Sequence, residues 1–160
     1  MKRVYAGFGL FIAAIVVAGC ATISKGTAQD VSDQSTVSPD DAKAVQGNWR
    51  PARAELAGQP MADAILKIIS LKMDNGKYEV FVGKAPDRGT YTLDSTTEPK
   101  SMTVTGTAGP NIGKTYPAIY ELNGDTLRIC YDLSGTKRPT EFKSIAGTQL
   151  YLVTYNRKKE

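Results

Sequence analysis

The chain predicts an all-β domain, an antiparallel sandwich or barrel of about eight short strands carrying one short helix. Three observations predict it. Runs of alternating apolar and polar residues recur at spacings of roughly ten residues from Gly47 to Asn156. Asn75-Gly76 and Asn123-Gly124 separate two pairs of these runs, and Asn-Gly tolerates the positive φ of a tight hairpin turn. No long stretch shows the apolar period of an amphipathic helix.

Taken in order, the chain begins with Lys2 and Arg3, an uncharged run from Val4 to Val17, then Ala18, Gly19 and Cys20. Charged, apolar and small, in that order, is the pattern of a secretory signal peptide. Val17-Ala18-Gly19-Cys20 resembles a bacterial lipobox, in which Cys20 is lipidated and becomes the new N-terminus. A transmembrane helix is the alternative, since the run approaches the roughly 20 residues that span a bilayer. Its Gly and Ala content, and the lack of a positive flank after Cys20, favour the lipoprotein. Both readings place the rest of the chain outside the cytoplasm. Ala21 follows Cys20, with no aspartate to retain the protein at the inner membrane, so the usual sorting pattern implies the outer membrane and a periplasm-facing domain. Residues 1–19 are therefore expected to be signal peptide, 20–44 a lipidated N-terminus and tether, and 45–160 the barrel.

Residues 21–44 are Ser, Thr, Asp, Gln, Ala and Gly with few large apolar side chains, too few to offset the entropy of ordering, and read as a disordered tether. Within it, Ser38 and Pro39 are suited to start a short helical turn. The domain opens near Val45, and Gln46 to Arg50 lead into strand one, which reaches about Leu56. Residues 57–60 turn the chain, and 61–66 suit one or two helical turns. Strands two and three, 67–73 and 77–83, flank the Asn75-Gly76 hairpin. Pro86-Asp87-Arg88-Gly89 reads as a turn before strand four at 90–93. Strand five is 101–105, the glycine-rich 106–114 is a loop, and strands six and seven, 115–122 and 126–131, flank Asn123-Gly124. Residues 132–147 form a long connection, and 149–156 is strand eight. Eight strands closed into a barrel leave an interior that is either filled or able to hold one small ligand.

Composition excludes several kinds of chemistry. The chain of 160 residues has a net charge of +4, of which Lys2 and Arg3 supply two, and the remaining excess is too small and too evenly spread for nucleic acid. There is no histidine, which removes Ser-His-Asp and Cys-His nucleophiles and the commonest zinc ligand. With Cys20 lipidated, Cys130 has no disulfide partner and reads as a small half-buried hydrophobe. No metal site, cofactor or paired-carboxylate signature is apparent, so an enzyme is not expected.

Gly47-Asn48-Trp49 resembles the G-x-W strand of lipocalins. Gly109 to Thr115 (G-P-N-I-G-K-T), Ile119 to Tyr131 (I-Y-E-L-N-G-D-T-L-R-I-C-Y) and Arg138 to Phe142 (R-P-T-E-F) more specifically resemble a lipocalin-like domain family of unknown function, paralogous in planctomycete-type bacteria. The resemblance covers roughly Val45 to Arg157. It implies a lipocalin-like barrel but no activity. The ending departs from the family's usual apolar strand closing in Lys-Arg, being Val153-Thr154-Tyr155-Asn156-Arg157 here. The resemblance also implies that a basic residue of the last strand, Arg157, lies across Trp49 at one barrel end, with Gly47 letting the backbone pass close to the ring.

Five residues are candidates for binding. Tyr116, Tyr120 and Tyr131 would either wall a ligand site or fill the core, core being favoured. Arg138 and Glu141, in the long connection, would contact a ligand or form an ion pair that fixes the loop, the ion pair being favoured. The resemblance to lipocalins implies a barrel that binds a small apolar ligand; a filled barrel acting as a structural or interaction module is the alternative. A cavity above about 300 Å³ open at one end would favour the former. The expected partners are the membrane, through Cys20, and that ligand; the oligomeric state is left open.

Overall fold

The computed structural model describes residues 39–159; the leader, Cys20 and residues 21–38 lie outside the described residues. Among the described residues are nine strands and two short helices: α1 Pro39–Ala44, β1 Gly47–Leu56, β2 Gln59–Pro60, α2 Asp63–Ile68, β3 Ile69–Asp74, β4 Lys77–Val82, β5 Ala85–Asp94, β6 Ser101–Ala108, β7 Thr115–Asn123, β8 Thr126–Asp132 and β9 Leu150–Arg157. Each strand from β3 to β9 pairs antiparallel with the next, and β1 pairs with both β3 and β9. The result is a closed antiparallel barrel of eight strands, with the two-residue β2 added beside β1. Closure removes the open edges that would otherwise invite aggregation.

The seam between β1 and β9 runs from Trp49 opposite Arg157 to Leu56 opposite Tyr151 and contains a bulge between Pro51 and Arg53. Proline cannot donate to the ladder, and a bulge is where a strand tolerates it. The hairpins at Asn75-Gly76 and Asn123-Gly124 are present, with Asn75 at φ 46°.

Two local expectations are corrected. Pro86-Asp87-Arg88-Gly89 is not a turn. It lies inside the ten-residue β5, and the chain reverses at Gly83 and Lys84 instead. A bulge in β6 opposite Arg88 and Gly89 accommodates this longer strand. Residues 39–44, expected as the end of the tether, form α1, which is bonded to the barrel: Asp41 accepts hydrogen bonds from Tyr120 Oη at 2.6 Å and Lys100 Nζ at 2.7 Å. The expected helix at 61–66 forms two residues later, as α2.

The inward-facing side chains Trp49, Leu127, Ile129, Val153, Ala118, Tyr120 and Met102 are almost completely buried. A fully buried Leu, Ile or Val contributes roughly 1.5–3 kcal/mol. A second buried layer lies outside the barrel wall. Ile119 and Cys130 face each other across β7 and β8, stand apart from the interior cluster, and are nevertheless buried. The connection 133–149 covers them: the Cys130 thiol donates to Lys143 O at 3.4 Å, Pro139 is buried, and Arg128 stacks on Phe142 at 4.2 Å.

Candidate functional site

The two ends of the barrel are built differently. At one end, here the floor, α1 and the turns β3–β4, β5–β6 and β7–β8 converge. Trp49 is fully buried there and donates its Nε1–H to Val45 O at 2.9 Å. The Arg157 guanidinium lies 4.2 Å from the centre of the Trp49 ring. It also donates to Gln46 O at 2.5 Å, Ala44 O at 2.7 Å and Asp125 Oδ1 at 3.0 Å. Arg157 thus closes the C-terminus of α1, where carbonyls lack helical partners and a cation is favoured. Gly47 makes room for it: at φ +125°, a Cβ there would come within 2.8 Å of Arg157 Nη1. Burial opposes a charge on Asp41, but the hydrogen bonds from Lys100 and Tyr120, with the Lys100 charge, outweigh it and hold the carboxyl below its usual range.

The opposite end, the mouth, is framed by α2, the β4–β5 turn and the β6–β7 and β8–β9 connections. It opens into a cavity of about 330 Å³. Leu71, Met73, Val80, Met102 and Val104 supply apolar walls, and Tyr78, Tyr91, Tyr116, Tyr131, Tyr151 and Tyr155 supply aromatic ones. The strand period places them: Asp87, Gly89, Tyr91 and Leu93 share the inward face of β5, and all four are buried. Gly89 is opposite Tyr78, and a Cβ there would sit 2.5 Å from the Tyr78 ring. Its absence lets that ring lie on the strand and its hydroxyl reach Asp87 Oδ2 at 3.1 Å.

Asp87 is the one ionisable acid in the lining and is 7% exposed. The β6–β7 loop folds back over it. Asn111 donates its backbone N–H to Asp87 Oδ1 at 3.1 Å and its Nδ2–H to Oδ2 at 3.0 Å, while its own Oδ1 accepts from Tyr116 Oη at 2.9 Å. Burial first, then the Asp87 charge, raises the Tyr78 and Tyr116 phenols above their ordinary range. Tyr131 and Tyr151 stack at 5.9 Å between ring centres, with Tyr155 beside them. Burial pushes Tyr151 up to about 12; burial and then Tyr151 raise Tyr131 against a hydrogen bond with Tyr155, and burial with Tyr131 and Tyr151 raises Tyr155. These rings are neutral at physiological pH. The Tyr91 hydroxyl is buried without a hydrogen bond, beside the Gly76 backbone.

The candidate residues named from the sequence separate accordingly. Tyr116 and Tyr131 line the cavity. Tyr120 does not; it binds Asp41 at the floor. Arg138 and Glu141 form no ion pair with each other. Arg138 donates to Met102 O and Ala118 O, both at 2.5 Å, and to Thr103 Oγ1 at 3.0 Å, fastening the connection to β6 and β7. Glu141 pairs with Lys143 at 2.7 Å. Strand carbonyls outcompete Glu141 because they are fixed in place, whereas Glu141 is exposed to water. Asp87, Asn111, Tyr78, Tyr91, Tyr151 and Tyr155 join the lining beyond the sequence candidates, and tyrosine at inward strand positions is the one sequence signal that marks them.

Among the described residues, no group of three or more His, Cys, Asp or Glu is placed to hold a metal ion. Burial raises the Cys130 thiol above its usual range, and it faces the covered outer wall rather than the cavity. The large apolar side chains that are exposed (Leu56, Ile65, Ile68, Val82, Ile112 and Ile145) all belong to elements at the mouth. Comparison with protein-family models, curated proteins and solved structures gave no match for this chain.

Proposed function

We propose that this chain is a membrane-anchored envelope lipoprotein of a lipocalin-like family, whose barrel takes a small, largely apolar ligand through the mouth. The observation that carries the binding role is the cavity of about 330 Å³, open at one end and walled by apolar and aromatic side chains. It lies at the lower end of the range of small-molecule sites, about 300–1,000 Å³. The lipobox-like Val17-Ala18-Gly19-Cys20 carries the anchoring role.

A water's share of liquid volume is about 30 Å³, so the cavity accepts on the order of ten non-hydrogen atoms. For ligands of that size, affinities on the order of micromolar are expected. The test is native mass spectrometry of the protein isolated from its own envelope. A mass excess released on denaturation, and absent when Val104→Trp fills the cavity, is expected. Protein carrying only its N-terminal lipid would reject the binding role. For the anchor, Cys20→Ser is expected to release the protein into the soluble fraction, and retention on the membrane would reject lipidation.

The exposed apolar rim favours a second reading, a protein-interaction module that meets its partner at the mouth. In that case the mass excess would be absent and the rim would be covered in a complex.

A further inference from the structure

We infer that the ligand carries a cationic ammonium group, seated against Asp87 and the tyrosine faces of the cavity. This rests on the proposed binding role and names the chemical class of its ligand. The cavity concentrates one kind of electrostatics. Six of the chain's eight tyrosines line it. The face of a phenol ring carries negative quadrupole density and attracts a cation within about 6 Å of its centre, and aromatic cages recognise quaternary ammonium groups in this way.

Asp87 adds a carboxylate. It is 7% exposed, and its three hydrogen bonds come from neutral donors: Asn111 N–H, Asn111 Nδ2–H and the Tyr78 hydroxyl. A carboxylate offers about four acceptor positions, so one remains. Among the described residues, Asp87 has no lysine or arginine partner, and no lysine or arginine lines the cavity. Arg88, its neighbour, turns outward and pairs with Glu79. Lys84 and Lys114 sit on exposed connections.

A buried carboxylate normally has a partner that offsets its desolvation. Here the missing partner is the ligand. An anionic amphiphile, such as a fatty acid, would instead bring a second negative charge into a cavity with no cation to meet it. The apolar walls hold the rest of the molecule, so the class is a small alkyl or aryl ammonium compound.

The experiment is calorimetric titration of the full chain with three ligands of about the same size: hexyltrimethylammonium, nonan-1-ol and octanoate. The ammonium compound is expected to bind at least about tenfold more tightly than the alcohol, with octanoate weakest. In Asp87→Asn the preference for ammonium over alcohol should shrink severalfold. Tyr151→Leu, which leaves every Asp87 hydrogen bond in place, should reduce it as well and keeps the test available if Asp87→Asn fails to fold. Equal or tighter binding of nonan-1-ol or octanoate would overturn the ammonium assignment while leaving the binding role intact. Binding of none of the three would overturn the assignment together with the binding role.

Discussion

The floor and the mouth use the same barrel for opposite ends. At the floor, the charged groups are matched by fixed partners: Tyr120 and Lys100 meet on Asp41, and Arg157 spans two carbonyls, a carboxylate and an indole face. Trp49 and Tyr120 are fully buried there. At the mouth, the connections are longer, the apolar residues are exposed, and a carboxylate is buried without a cation. The difference is one between stability and readiness. A matched, filled end contributes folding energy, and an unmatched, hollow end keeps interactions in reserve for something that binds.

The sharpest way to break this comparison is to truncate one large aromatic at each end. Trp49→Ala removes a fully buried indole and is expected to cost about 3–5 kcal/mol by denaturant unfolding. Tyr151→Ala, beside an existing cavity, should cost clearly less, about 1–2 kcal/mol. Equal losses would show that the mouth is packed as tightly as the floor.

Acid tests one charged anchor at each end. Asp132 secures the start of the β8–β9 connection, accepting from the Ser134, Thr136 and Lys137 backbone N–H groups. Burial opposes its charge, but these bonds and the Ser134 hydroxyl hold its pKa at about 2. Its folded value lies below the unfolded value of about 3.9, so its contribution is complete above that value and is lost as pH falls towards 2. Asp132→Asn is therefore expected to cost about 2 kcal/mol at pH 6, and the difference from wild type should shrink as pH falls from 5 to 2. A difference independent of pH would contradict the assignment. Asp41 at the floor is shifted in the same direction, so Asp41→Asn should show the same sign.

Smaller still is the coupling between Trp49 and Arg157. A double-mutant cycle with Trp49→Phe and Arg157→Ala is expected to give about 0.5–2 kcal/mol. Coupling within about 0.3 kcal/mol of zero would leave the contact without energetic weight.

The two ends were also unequally legible in the sequence. The hairpins announce themselves through Asn-Gly, whereas strand number leaves a sandwich or a barrel and only the resemblance to lipocalins points to closure. Gly47, Trp49 and Arg157 could be named in advance because they sit at the chain's first and last strands. The docking of α1 could not, since the bond between Asp41 and Tyr120 joins residues 79 positions apart. The mouth was harder to read. Pro86-Asp87-Arg88-Gly89 has the composition of a turn, and only pairing with β4 and the β6 bulge makes it strand and points Asp87 inward. Asn111 lies in a glycine-rich loop whose return path is set by tertiary contact. Sequence pairs Arg138 with Glu141 because it shows nearby charges but not the carbonyls of distant strands.

The most direct measurement is NMR titration of the isotope-labelled full chain with nonan-1-ol, a ligand whose binding does not depend on charge. The chain has one tryptophan, so the indole N–H signal of Trp49 reports the floor without ambiguity. The methyl groups of Val80 and Val104 report the cavity. A hollow mouth above a sealed floor requires the two valines to shift in a saturable way while the Trp49 indole and the Leu127 methyls stay in place. Shifts of equal size at both ends, or none at Val80 and Val104, would contradict it.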